Sequence, residues 1–247
     1  MLTKLVSALL LTIAISAGAS ARAGEPAAGP AGEQPRRVLI VTGQDYKGHV
    51  WQKTTPVLKQ QIEKDPRLSV EVLDDLKKLP DTDLTGYAAV VVHFKNYDAN
   101  VPGRAGLDNL IRYTRGGGGL VLVHFACGAF QEYRDDFAKL VGRAWNPKLR
   151  PHDPRGPFEV RIDDANHPVT AGMKPFTITD ELYTCLDGNA PIHVLASAVS
   201  KVDKKVYPMA FILDCGKGRV FHCVLGHDVE ALGCDGAGLL YRRGTAW

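Results

Sequence analysis

The sequence contains no Cys-x-x-Cys pair and no His-x-x-x-His pair. The first absence excludes a zinc ribbon, and the second leaves any metal site without a local helical motif. No cluster of lysines and arginines alternates with aromatics, and the net charge is only +3 with both signs interleaved. That argues against a nucleic-acid partner. There is no basic amphipathic helix to dock on a membrane surface. The apolar run from Leu5 to Ala17 is well short of the ~20 residues that a bilayer span needs. No internal repeat is present.

That short run is informative in another way. Lys4 precedes it, and Ala19-Ser20-Ala21 and Ala21-Arg22-Ala23 follow it as small-x-small sites. This is the pattern of a secretory signal peptide over residues 1–23, with an uncleaved anchor as the alternative. No cysteine follows the run, so no lipoprotein acylation site is seen. The expected location is periplasmic or secreted, with no membrane contact after cleavage. Residues 24–36, rich in Gly, Ala, Pro and Glu, read as a flexible linker. Residues 37–247 then form one domain, about 210 residues long, enough for a sizeable core. Of the five cysteines, Cys127, Cys185, Cys215, Cys223 and Cys234, at least one is left unpaired by the odd count. Cys215 and Cys223 flank a Gly-Lys-Gly turn and could lie on neighbouring strands, but buried thiols are the preferred reading.

Short apolar, β-branched runs predict strands at 37–42, 69–73, 88–92 and 120–123. Between them lie helix-compatible segments. One starts near Trp51, carries Val57, Leu58 and Ile62 on one face, and places Pro56 in its first turn. Another runs from about Gly103 to Thr114 and stops at the glycines Gly116 to Gly119. The second half is richer in strands, near 158–162, 192–196, 206–213 and 219–224, with a hairpin at Gly216-Lys217-Gly218. A last helix is expected near 236–242. This alternation predicts an α/β fold: a doubly wound, mostly parallel sheet with helices on both faces. Ligands bind such sheets beyond the carboxyl ends of the strands. The loops selected by that rule follow Thr42, Val92 and Val123, and they carry His49, His93 and His124.

Several motifs occur in a telling order. They are Val38-Leu39-Ile40-Val41-Thr42-Gly43 with His49-x-Trp51, the Gly116–Gly119 turn running into Leu120-Val121-Leu122-Val123-His124, His167-Pro168 before Gly172, Asp180-Glu181-Leu182-Tyr183, and Gly216-Lys217-Gly218-Arg219-Val220-Phe221 with Gly226-His227. In this order and spacing the chain resembles the ThuA-like, trehalose-utilisation family, over about residues 36–247. The resemblance implies a scaffold like that of the class I glutamine amidotransferases, related to flavodoxin-like folds. It also implies an association with disaccharides and their 3-keto derivatives. The amidotransferase nucleophile, a cysteine in a Gly-x-Cys-x-Gly turn, is not reproduced. His124 takes the place nearest the strand end, and no glycine precedes Cys127.

The candidate site follows from these positions. His124 emerges at the sheet edge, where an imidazole can act as a base or a metal ligand. Its bland alternative is a hydrogen-bonded core histidine. His49 and Trp51 would orient a sugar ring, the indole serving as a platform, or simply pack their loop. Of the adjacent carboxylates, Glu181 is taken to face the pocket and Asp180 to serve as a loop acceptor. His227 arrives late, after a strand, with Asp228 beside it as an orienting group. His152, on an irregular loop, and Tyr183 are taken as substrate contacts. His93, at a strand end, is a weaker candidate. His167-Pro168 reads as a turn, and His193 and His222 as structural. Cys127 reads as a small buried hydrophobe, or as a thiolate at a helix start.

His124, Glu181 and His227 are thus the acid–base candidates. His49, His124 and His227 are the candidates for a divalent metal such as zinc. The expected partner is a small-molecule carbohydrate, a disaccharide or keto-sugar derivative, and a homo-oligomer is compatible with the sequence. The rival readings are a non-catalytic sugar-binding module and a Cys127-dependent amide or ester hydrolase.

Overall fold

Val38, Leu39, Ile40 and Val41 are all buried, because an apolar run without alternation belongs in a strand covered on both faces. In the computed structural model, which describes residues 34–184 and 186–247, the run lies in β1 (Arg36–Val41). The leader, most of the linker and Cys185 lie outside the described residues. After β1 come α1 (Trp51–Glu63), β2 (Leu68–Leu73), β3 (Ala89–Val92), α2 (Gly103–Gly116) and β4 (Gly119–Val123). α1 begins at Trp51 as expected, but Pro56 is then its sixth residue and lies in the second turn rather than the first. Gly117 stops α2 with φ of 123°, and its N–H donates back to the Thr114 carbonyl at 3.0 Å.

The rest of the chain adds α3 (Arg134–Val141), β5 (Ala144–Trp145), β6 (Gly156–Ile162), β7 (Phe176–Asp180), β8 (Leu186–Asp187), β9 (His193–Val199), β10 (Val206–Cys215), β11 (Gly218–Cys223), α4 (Val229–Gly233) and α5 (Asp235–Ala246). Nine strands form one sheet in the order β2-β1-β3-β4-β11-β10-β9-β6-β7, while β5 and β8 pair separately. From β2 to β11 every neighbour is parallel. From β11 to β7 every neighbour is antiparallel.

The parallel strands divide their side chains between two cores, as period-two geometry requires. Val38, Ile40, Val91, Val121 and Val123 pack with Leu58 and Ile62 of α1 and with Leu240 and Tyr241 of α5. Leu39, Val41, Val90, Val92, Leu120 and Leu122 pack with Leu107 and Leu110 of α2 and Phe137 of α3. Helices therefore cover both faces. Cys215, Cys223 and Cys234 hold free thiols. Cys215 lies opposite Gly218, and Cys223 opposite Ala210, so the turn that flanks them does not bring them together. Among the described residues, no helix is long and apolar enough to cross a membrane.

The strand directions decide where the site can form. β11 runs parallel to β4, so residues after both strands emerge at one edge. Alternating directions through β10, β9 and β6 bring the carboxyl end of β7 to that edge too. β7 is four places from β11 in the sheet, yet it meets α4 and lies against Gly236 of α5. The antiparallel half curls back over the end of the sheet.

A histidine and carboxylate cluster as the candidate functional site

β4 ends at Val123, and His124 then adopts a left-handed backbone with φ of 47°. For a residue with a Cβ this costs on the order of 1–3 kcal/mol, which the surroundings must repay. Here His124 is buried and its Nδ1 donates to the Val224 carbonyl at 2.7 Å. That bond leaves Nε2 as the inward-facing, unprotonated nitrogen of the neutral ring. Nε2 is buried and has no hydrogen-bond partner among the described residues. The nearest charged atom is Glu181 Oε2, 3.6 Å away.

Three other groups converge on it. His49, in the loop after β1, has Nδ1 3.3 Å from Asp45 Oδ1 and Nε2 2.9 Å from His227 Nδ1. His227 follows Gly226, whose φ of 117° only glycine adopts readily. Glu181 Oε2 lies 3.3 Å from the same His227 nitrogen. The backbone beneath is fixed by the buried Asp180 carboxylate. It accepts the N–H groups of Gly226 at 2.6 Å, His227 at 3.1 Å and Glu181 at 2.8 Å. One ligand atom from each of His49, His124, Glu181 and His227 falls within 4.8 Å of the others.

The electrostatics follow from burial and mutual contact. Burial works against an ionised Glu181, but His124 and His227 outweigh it and hold the carboxyl well below its usual range. Burial likewise opposes a charged His124, yet Glu181 and Asp180 outweigh it and raise that imidazole. His49 is lowered, by burial first and by the neighbouring imidazoles, against the pull of Asp45. Burial raises Asp45, with His49 opposing.

The donor set suits a divalent ion. Tetrahedral zinc with Zn–N bonds of ~2.0–2.1 Å places neighbouring donors roughly 3.3 Å apart. The contacts of 2.9, 3.3 and 3.6 Å bracket that spacing, and the remaining pairs lie within 4.8 Å. The outer nitrogens of His49 and His124 rest on Asp45 and the Val224 carbonyl, as the second shell of a metal site requires. A cavity of about 10 Å³ lies beside His49, His93, His124 and His227 and is not lined by Glu181; it has room for one ion or one water and none for a sugar ring. A substrate must approach from the outer side, where the side chains of His152, His227 and Glu181 are 30%, 17% and 13% exposed.

His152 stands on that side. Its Nδ1 donates to the Asp153 carbonyl at 2.8 Å, and its Nε2 lies 3.6 Å from Glu181 Oε1. Tyr183 bridges to His152 and sets its ring edge-on to His124 at 4.9 Å. Besides the imidazoles of His124 and His227, the rings on His49 are Phe125, at 4.3 Å, and Tyr46, at 5.7 Å. Trp51, half-exposed at the first position of α1, is not one of them. Asp228 does not orient His227. It caps α4 through the Ala231 N–H and pairs with Arg155. His93 lies beneath the cluster, its Nδ1 3.1 Å from Thr55 Oγ1, and burial holds it down to about 3. His222 is buried in β11 and His193 pairs with Asp164. Cys127 is fully buried in the core, in the short 3-10 turn that begins at His124.

Asp45 and Phe125 were not anticipated from the sequence, whereas Asp180 is the loop acceptor expected, its partners being the N–H groups of Gly226, His227 and Glu181. Asp45 precedes His49 by four residues in a loop, a spacing that carries no periodic signal. A much larger cavity, about 620 Å³, lies at the opposite edge between Arg36, Leu84, Gly117 and Trp247. Among the described residues, no histidine, cysteine or glutamate lines it, whereas histidines gather at the smaller site.

Three histidines and a glutamate meeting at the carboxyl edge of a doubly wound α/β sheet define the class of protein. The chain belongs to the ThuA family, described as trehalose utilisation, which matches residues 37–247. A ThuA-like protein from Parabacteroides merdae is similar in structure, with 25% identity, a TM-score of 0.74, and coverage of 87% of this chain and 90% of that one. A ThuA-like protein from Bacteroides uniformis has 20% identity and a TM-score of 0.67, covering 88% of this chain and 92% of that one. The β-galactosidase of Bacillus circulans shares the fold alone, at 13% identity and a TM-score of 0.51, covering 85% of this chain and 31% of its own. Among curated proteins, none matches the chain.

Proposed function

We propose that the protein is an exported, metal-dependent enzyme of carbohydrate metabolism that removes a proton beside the carbonyl of a keto-sugar or disaccharide derivative. The observation that carries this reading is the buried, unpartnered Nε2 of His124 facing two imidazoles and a carboxylate. An unpaired buried nitrogen costs about 1–3 kcal/mol, and a shared cation repays it. The family supplies the carbohydrate, and the leader pattern supplies the export.

A divalent ion such as zinc, held by His49, His124, His227 and Glu181, would polarise the substrate's carbonyl oxygen. His124 and His49 serve as ligands because their outer nitrogens are already committed to Val224 and Asp45. The proton acceptor is His152. Its Nδ1–H is fixed on Asp153, so Nε2 presents a lone pair on the exposed side. Glu181 Oε1, 3.6 Å away, stabilises the imidazolium once the proton has moved. Two features speak against Cys127 as a nucleophile: it is fully buried, and His124 occupies the strained turn. A sugar-binding module without turnover is favoured by the missing nucleophile turn at Cys127, whereas the ionisable groups gathered at one edge speak for chemistry.

The test is solvent exchange. Zinc-loaded protein is incubated with a panel of 3-keto glycosides in heavy water, with trehalose, which has no carbonyl, as the control, and deuterium at the carbon beside the carbonyl is followed by NMR. Exchange that disappears with a chelator and in His152→Ala supports the enzyme reading. A loaded protein that binds the sugars and exchanges nothing supports the binding module.

A further inference from the structure

The sequence encodes no basic amphipathic helix, yet the fold assembles a basic and apolar surface from two loops. One is the turn 200–205 between β9 and β10, and the other is the segment 147–150 that leads to His152. Of the nine exposed large apolar side chains among the described residues, four lie here. Leu149, Val199, Val202 and Val206 are 48%, 40%, 56% and 57% exposed. Val199 and Val206 pair across β9 and β10, so they stand on one face. Lys148, Lys201, Lys204 and Lys205 are exposed around them. Among the described residues, none of these four ammonium groups has an ionic partner.

The two loops are locked together from beneath. The buried Asp153 carboxylate accepts from Arg150, from Ser200 Oγ at 2.9 Å and from the Lys201 N–H at 2.7 Å. Arg150 Nη2 reaches Asp203 Oδ2 at 2.9 Å, and the Tyr207 hydroxyl donates to the same oxygen at 2.6 Å. The Ser200 N–H donates to the Lys205 carbonyl at 2.9 Å, and the Lys204 N–H to the Ser200 carbonyl at 3.1 Å. The carboxylates of the turn are therefore engaged with the protein, while its ammonium groups face water. Glu159 of β6, exposed one residue from the Val160–Ala198 pair, bounds the surface on that flank. Lys204 holds a left-handed backbone with φ of 63°, a conformation that glycine or asparagine adopts more readily. A lysine kept at that strained position adds positive charge at the tip, where a relaxed turn would have none.

We propose that these two loops dock the protein on an anionic lipid bilayer. Val202, Val206 and Leu149 enter the headgroup layer, and the four lysines meet the lipid phosphates. Lysine stems can lie along apolar side chains while their ammonium groups reach the charged layer. Each lysine brought to an anionic leaflet strengthens binding about fivefold, and the apolar side chains add to that. A soluble polyanion would gain from the lysines alone and leave the apolar side chains in water. His152 lies two residues beyond Arg150, so docking sets the outer side of the histidine cluster close to the membrane. Docking does not depend on the chemistry of that cluster.

The experiment is flotation with vesicles of phosphatidylcholine alone and of phosphatidylcholine mixed with phosphatidylglycerol. The chain used begins at Gly24, which removes the apolar run 5–17 and keeps every residue of both cores. Binding should require phosphatidylglycerol and should fall as salt is raised. Lys205→Glu should weaken it about tenfold, and Val202→Ser should weaken it severalfold. Lys204→Asn separates docking from folding: it relieves the left-handed strain, so the denaturant midpoint should hold or rise while binding falls about fivefold. Binding to anionic vesicles that Lys205→Glu abolishes but Val202→Ser leaves unchanged would mark a polyanion surface and overturn bilayer docking. Equal binding to both vesicle types, no binding to either, or wild-type binding by Lys204→Asn and Lys205→Glu would overturn it as well.

Discussion

His49 and His227 are 178 positions apart in the chain, and their facing ring nitrogens lie 2.9 Å apart. The proton count at this contact constrains the site. Asp45 only accepts, so His49 carries its proton on Nδ1 and offers a lone pair from Nε2. His227 Nδ1 must then donate, but Glu181 Oε2 also waits 3.3 Å from that nitrogen. His124 Nε2 adds another inward lone pair in the neutral ring, the form a cation would select over the imidazolium that Glu181 and Asp180 favour. One proton cannot serve all these acceptors, whereas one divalent cation can.

Asp45 holds His49 in the tautomer that such a cation needs. Asp45→Ala should weaken zinc binding by about 10–100-fold, the usual range for an outer-shell partner, without unfolding the protein. Competition with a chromophoric chelator measures it. Unchanged affinity would show that His49 is not a ligand.

Stability should fall as the solution is acidified through pH 6. His93 and His222 are fully buried and held down to about 3 and about 4, burial being the first cause in each. Both rings stay neutral in the folded chain, while in the unfolded chain they take up protons near 6.5. Their contribution is therefore present above about pH 6.5 and is lost as pH falls toward the folded values. Each should cost about 2 kcal/mol by pH 5. Denaturant midpoints between pH 5 and 7.5 in wild type, His93→Gln and His222→Gln check this. A midpoint as steep in pH for both variants as for wild type would contradict it.

Cys127→Ala should keep the fold, at a cost of about 1 kcal/mol for a small buried side chain, and at least about a tenth of any activity found. Native mass spectrometry after a thiol alkylator should show no adduct on Cys127, since the side chain is fully buried and a thiol without access does not react. A rapid adduct with loss of activity would restore the thiol-hydrolase reading.

The proposed export predicts a mature chain that begins near Arg22 or Gly24, after one of the two small-x-small sites. Mass spectrometry of the periplasmic or secreted fraction reads the new terminus. Intact Met1 in that fraction would refute cleavage.

Much of this was legible because strand direction is a simple rule. Four apolar runs gave β1 to β4, and the carboxyl-end rule placed His49 and His124 at one edge. His227 followed once β11 ran parallel to β4. The path of Glu181 was not legible: it depends on an antiparallel half that curls β7 back onto α4, and no local pattern encodes that curvature. Nor could residue types distinguish Phe125 from Trp51 as the ring on His49. A loop position fixes neighbourhood but not direction. The small volume beside the histidines was hidden for the same reason, because side-chain convergence sets it rather than sequence spacing.

The most direct test of the central claim is the zinc stoichiometry of the purified protein, by equilibrium dialysis with elemental mass spectrometry. The account predicts one ion per chain in the wild type, with affinity lowered about a hundredfold or more in His124→Ala, His227→Ala and Glu181→Ala. A wild-type chain that takes up no zinc, cobalt or manganese at about 100 μM, or variants that bind as tightly as wild type, would contradict it.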